Sequence, residues 1–268
     1  MVKSQTAVNR QNQPRYLTAA EFRDPNRFAI PLNWIAEDGK IPTSRNGKYV
    51  EIPGVSVSLD EVKWQLDWLC GWCDVTSSTN ERTAIPAFIP RTAVGNKFHL
   101  MFSGVPPVLA ASLIAVQSSL VFDFVGRQKV GGVAMGLFIW KQLPVPTPTT
   151  MEPHLNFIVP RVLELVYTAY DMTPLARDLG DEGAPLIWDE ERRANLRAEL
   201  DAFFFRLYGI ERDVADYIME TFPIVKQHDI DKHGTYRTKD LILDAYDRMA
   251  AAEAVGQPYR SMTAGRSG

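Results

Sequence analysis

Cysteine is nearly missing from this chain: 268 residues hold two, Cys70 and Cys73. One possible pair is no disulfide framework, so stability has to come from packing. Long apolar runs are missing too. The longest, residues 105–116, gives way to Gln117 and two serines after about a dozen positions, whereas a membrane helix needs roughly twenty. The opening MVKSQTAVNRQNQPRY has no apolar stretch behind its basic residues, which is not the pattern of a secretory signal. A cytoplasmic location with no membrane partner is the expectation. Catalytic signatures are equally scarce. There is no Walker phosphate loop, no Gly-x-Ser-x-Gly elbow, no His-Glu-x-x-His pair and no Asn/Asp-Pro-Pro-Tyr/Phe loop of the kind that holds an adenine for methylation. No catalytic centre is therefore assigned to this chain, and no cofactor.

The composition is that of an ordinary globular protein, 46% apolar, 10% aromatic and 23% charged, with mean hydropathy −0.15. Its net charge of −3 hides an asymmetry. Residues 1–150 carry 15 Lys and Arg against 11 Asp and Glu, which is +4, and residues 151–268 carry 14 against 21, which is −7. Between residues 82 and 141 the cations are Arg82, Arg91, Lys97, Arg127, Lys129 and Lys141, and the only acid is Asp123. A basic strip inside an acidic chain is the minimum a phosphate-binding surface requires, although many such strips are simply solvated faces.

The pattern predicts an α+β fold in two parts. Residues 1–148 read as a mixed small-sheet domain and residues 149–268 as a helical subdomain with a frayed tail from about 255, divided at the proline-rich segment 143–148, where each proline removes a strand donor. Ser58-Leu-Asp-Glu61 has the spacing of a capping box, predicting a short helix with Val62, Leu66, Leu69, Trp64 and Trp68 on its face. Residues 68–75 and 83–89 read as strands around a polar turn, 96–102 as a third strand, 108–125 as a buried helix, 126–132 as a glycine-permitted loop and 137–140 as a further strand. Apolar residues three and four apart predict helices over 158–170, 190–208, 212–221 and 238–254.

Several motifs have plain alternatives. Cys70-Gly-Trp-Cys73 has redox spacing but follows a predicted helix instead of opening one, so structural thiols are expected. Residues 229–240 resemble a calcium loop at positions one, three and six, yet His233 stands at five and the short Asp240 at twelve, which favours a helix-capping loop. The acids Asp189, Glu190, Glu191, Glu199 and Asp201 read as the solvated side of an amphipathic helix. More distinctive are three segments that each join a cation, an amide or hydroxyl and often a glycine: Ser78-Thr-Asn-Glu-Arg-Thr83, Pro90-Arg-Thr-Ala-Val-Gly-Asn-Lys97 and Arg127-Gln-Lys-Val-Gly-Gly132. These are the groups that reach phosphates and base edges; as surface turns they need no such role.

The order Trp68-Leu-Cys-Gly-Trp-Cys-Asp-Val-Thr-Ser-Ser-Thr-Asn-Glu-Arg-Thr83, then Ile89-Pro-Arg-Thr-Ala-Val-Gly-Asn96, Phe122-Asp-Phe-Val-Gly-Arg-Gln-Lys-Val-Gly-Gly132 and Phe138-Ile-Trp-Lys-Gln-Leu-Pro-Val-Pro146 resembles the C-terminal target-recognition region of large N6-adenine DNA methyltransferases. These are the type IIG restriction-modification enzymes and their BREX and DISARM phage-defence relatives. The Gly-Gly loop with its Lys-Gln-Leu-Pro-Val-Pro strand is also similar to type I specificity subunits. The resemblance spans about residues 65–250. It implies a sequence-specific double-stranded DNA recognition module whose helical part docks on a methyltransferase core or another restriction or defence subunit. S-adenosylmethionine and the catalytic loop would lie on that partner or upstream. The expected DNA contacts are Arg82, Arg91, Asn96, Lys97, Arg127, Gln128, Lys129 and Lys141. Two other readings remain open: a metal-dependent nuclease built on scattered acids, and a protein-interaction scaffold.

Overall fold

A computed structural model of the chain describes residues 66–92, 94, 95 and 97–263, with the backbone of Lys40–Pro42 and Tyr49–Glu51. The chain divides between Gln65 and Leu66 into two units. In the first, β1 (Lys40–Pro42) and β2 (Tyr49–Glu51) pair antiparallel with Lys40 opposite Glu51. The capping-box helix expected from Ser58 falls largely outside the described residues, but Trp68 and Leu69, assigned to its face, are strand residues.

The second unit is α+β. Its sheet has the order β4-β3-β5, all antiparallel, with β3 (Trp68–Cys73) between β4 (Pro86–Pro90) and β5 (Phe98–Met101). The central strand is buried throughout all but its last residue, as a strand covered on both faces must be. Gly71 is required there: a Cβ would lie 2.0 Å from the His99 carbonyl oxygen. Helix α1 (Pro107–Ser118) opens with proline at N1 and is followed by α2 (Leu120–Lys129) after a 60° bend at Ser119, whose side chain caps the first turn of α2. The single buried helix expected over 108–125 is thus a broken pair. Among the described residues no single helix is long and apolar enough to cross a membrane.

Two expectations in this region are corrected. The loop expected at 126–132 is helical as far as Lys129. Gly126 is packed closely there: a Cβ would come 3.0 Å from Met135 Cε, and the methionine end would have to give by a few tenths of an ångström. The strand expected at 137–140 is the helical turn α3 (Leu137–Trp140), which lays Trp140 flat on Trp72 with centroids 4.6 Å apart. A four-residue apolar run has no period to separate the two states.

Helices α4 (Pro148–Met151), α5 (Leu155–Val166), α6 (Thr173–Asp178), α7 (Glu190–Leu207), α8 (Arg212–Glu220), α9 (Pro223–His233) and α10 (Arg237–Ala254) complete the unit. Gly209 at φ 68° and Gly234 at φ 77° take the left-handed conformation that ends α7 and α9. Helix α9 was not expected. Its last five residues, 229–233, fall in the supposed calcium loop, where Asp229 accepts a hydrogen bond from Thr238 N at 2.5 Å and so caps α10, as the capping reading anticipates. The proline segment 143–148 runs inside this unit: α1 packs on α5 and α2 on α7 across it, and Trp68 Nε1 donates to Asp178 at 2.7 Å.

Candidate nucleic-acid interface

The lone acid of the basic strip organises the region. Asp123 lies in the first turn of α2, where a carboxylate suits the helix dipole, and is fully buried. Its oxygens accept from Arg82 Nε at 2.6 Å, from Arg127 Nε at 3.2 Å and from Thr83 N at 3.0 and 3.1 Å. A buried carboxylate is tolerated only with such full pairing. Arg127, one helical turn along, is itself 8% exposed. Its guanidinium donates to the backbone carbonyls of Ser78, Asn80 and Glu81 and lies 4.3 Å over the ring of Phe222. Arg82 also donates to the Ser118 carbonyl at the α1–α2 bend. Two of the three arginines expected to contact DNA, Arg82 and Arg127, therefore hold the protein together.

The turn they hold is closed from within as well. Thr83 Oγ1 donates to the Ser77 carbonyl at 2.9 Å, Thr76 Oγ1 to the Arg82 carbonyl at 3.4 Å, and Asn80 N to the Ser77 carbonyl at 3.1 Å. Thr79, Asn80 and Glu81 are exposed at its tip. Beyond its root, Thr76 N bonds the Val133 carbonyl, and the Asp74 peptide joins Lys97 to Met135, with N–H to the Lys97 carbonyl at 2.8 Å and C=O from Met135 N at 2.7 Å. Lys97 and the 133–135 segment thus flank Asp74. A Cβ on Gly131 or Gly132 would meet open space, and Val133 beside them is 76% exposed.

The remaining expected contacts are at the surface. Lys97 is 64% exposed and lies 3.4 Å from Asp74, whose other oxygen lies 3.4 Å from His99 Nε2. Gln128 and Lys129 are exposed in the last turn of α2. Lys141, just past α3, is exposed too, but neighbouring atoms exclude enough water to draw its amine down to about 8. Arg91, 3.3 Å from Asp67, follows β4 at the Trp68 end of the hairpin, about 17 Å along the strand from the turn. Surface pairs of this kind hold a cation only weakly. Asn96 lies outside the described residues. The structure therefore gathers Arg82, Lys97, Arg127, Gln128 and Lys129 around one end of the sheet and leaves Arg91 at the other.

Sequence reasoning missed Asp123. The available signal was its isolation: one acid among six cations is a buried counter-ion candidate. It also misassigned two acids of α7, since Glu199 and Asp201 are buried, not solvated. Glu199 accepts from Arg161 Nε at 2.7 Å, Ser261 Oγ at 2.8 Å, Tyr259 OH at 3.1 Å and Met262 N. It so fixes residues 259–263, which were expected to fray. Asp201 accepts from Leu120 N at 2.6 Å, and burial pushes its carboxyl up to about 6. Cys70 and Cys73 are free thiols on β3, three positions apart and hence on opposite faces; burial pushes Cys70 up to about 12. Beside Glu199, a cavity of about 410 Å³ includes Arg161, Glu164, Asp181 and Arg192 in its wall, with Arg161 paired to Glu199 and Arg192 to Glu164. Among the described residues no three His, Cys, Asp or Glu side chains gather as a metal site. Set against protein-family models, characterised proteins and solved structures, the chain matches none of them.

Proposed function

We propose that this chain is the double-stranded DNA target-recognition part of an adenine methyltransferase or restriction-modification complex, with methyl-transfer chemistry and S-adenosylmethionine carried by a partner or a further domain. One observation carries the reading. From residue 82 to residue 151 the only acid, Asp123, is buried between two arginines, so every exposed charge on that stretch is positive: Arg91, Lys97, Lys129 and Lys141. Residues 171–191 are the opposite, with seven acids to one arginine. Such segregation favours phosphate binding along this stretch, because an acid beside a phosphate would repel it. The test is fluorescence anisotropy of the purified chain on randomised duplexes at two salt concentrations, with sequencing of the bound fraction. Affinity that falls steeply with salt and enrichment of one short motif are expected. No binding at low salt, or binding with no preferred sequence, overturns the reading.

The scaffold reading has one observation of its own. Ile187 and Trp188, 67% and 64% exposed, stand within the acidic 171–191 segment, with Arg193 stacked 3.7 Å over the indole. A rigid aromatic in acidic surroundings suits a protein groove with a basic rim better than DNA. A complex formed without DNA and abolished by Trp188→Ala would support it.

A further inference from the structure

We propose that the turn around Asn80 reads a base edge, and that Arg127 and Arg82 act as its positioning residues without touching DNA. The inference rests on the DNA-recognition reading and deepens it. Three observations support it. First, the turn is preorganised: Arg127 binds the carbonyls of Ser78, Asn80 and Glu81, and Thr76, Ser77 and Thr83 close its root. A reading group needs that rigidity, because ordering a loose loop on binding subtracts from affinity. Second, the Asn80 carboxamide is exposed and engages nothing among the described residues, although its own carbonyl and N–H are both bonded. An amide held by its backbone and free at its tip offers a donor and an acceptor in one plane, the pattern that matches adenine N6 and N7 in the major groove. Third, the charges favour a base over a phosphate as the target. Glu81 adjoins Asn80 at the tip, where it would repel the backbone, and its carboxylate is drawn 3.3 Å from His228. Of the cations suited to phosphates, Lys97 lies beside Asp74 below the root and Lys129 follows Arg127 by two residues on the same helix.

The test compares wild type with Asn80→Ala, Arg127→Gln, the double variant and Lys129→Ala, by motif enrichment and by the slope of log affinity against log salt. Asn80→Ala, an exposed change that leaves the fold intact, is expected to lose preference at one base pair. Its affinity for the preferred duplex should fall roughly 5- to 150-fold, with the slope unchanged. Arg127→Gln should lose the same preference with the slope unchanged, and the double variant should bind within about twofold of the weaker single variant, because both act through one element. Lys129→Ala should instead lower the slope by about one and weaken all sequences alike. If wild type enriches a motif that Asn80→Ala retains, the assignment of Asn80 is wrong while the DNA reading stands. If Arg127→Gln lowers the slope by about one, Arg127 contacts phosphate and the positioning role is wrong. A wild-type chain that does not bind DNA overturns both readings together.

Discussion

Replacing Asp201 with asparagine should stabilise the protein at neutral pH and leave it nearly unchanged in acid. Asp201 projects from α7 to accept the Leu120 N–H at the start of α2, so it serves a neighbouring helix as an acceptor in a buried place. Burial raises its carboxyl from 3.8 to about 6, against the opposing pull of Arg82, the Leu120 N–H and Arg197; the Asp123 charge adds to the rise. Below 3.8 the group is protonated in both the folded and the unfolded chain. Between 3.8 and about 6 the folded chain keeps a proton that the unfolded chain has released, so stability falls as pH rises through this window, by about 3 kcal/mol in all. Asparagine keeps an acceptor for Leu120 and carries no charge, and so escapes that loss. Urea denaturation followed by tryptophan fluorescence at pH 4, 5, 6 and 7.5 would measure it, because the buried Trp68 and Trp72 report on the core. The stability gain of the variant should be near zero at the lowest pH and about 3 kcal/mol at the highest. A gain or loss that is the same at every pH would refute the reasoning, since it would mean that Asp201 ionises in the fold without penalty.

Gly71→Ala should separate β5 from β3 and cost on the order of 3 kcal/mol, seen as a lowered thermal midpoint, because the new Cβ collides with backbone that cannot swing away; an unchanged midpoint would contradict the strand spacing. Asp123→Ala should cost about 3–5 kcal/mol in chemical denaturation, since it strands two arginines and the Thr83 N–H, and a loss below about 1 kcal/mol would show the cluster to be dispensable. Iodoacetamide at pH 8 should label Cys73 well before the buried, high-pKa Cys70, giving one adduct per chain by mass spectrometry; equal rates at both thiols would contradict their placement on β3.

The readable parts of this fold are those whose signals are local. The three strands of the second unit stand between turn residues, and α7, α8 and α10 repeat apolar positions at helical spacing, so sequence and structure agree on them. Where tertiary packing decides, the sequence is silent. Gly126 looks like a loop residue and is a helix residue packed against Met135. Glu199 and Asp201 occupy helix positions that look solvated until residues 259–262 and the start of α2 are packed against them. The candidate interface was legible as a set of cations but not as a surface. Arg82 and Arg127 stand 45 positions apart in sequence, and nothing in their neighbours tells that they meet on one carboxylate. Of the cations named in advance, the four on the surface keep their candidacy and these two become framework.

The bond from Trp68 to Asp178 spans 110 residues. On a ribosome adding roughly 5–20 residues per second, the first strand of the second unit would wait on the order of 5–20 s for its indole to find its acceptor. The strand neighbours of Trp68–Cys73 are complete by residue 101, so what waits for residue 178 is the Trp68 end of the segment, open in the meantime to chaperones and to other nascent copies. Slowing synthesis before residue 178 should therefore raise aggregation, whereas a pause placed after it should be harmless.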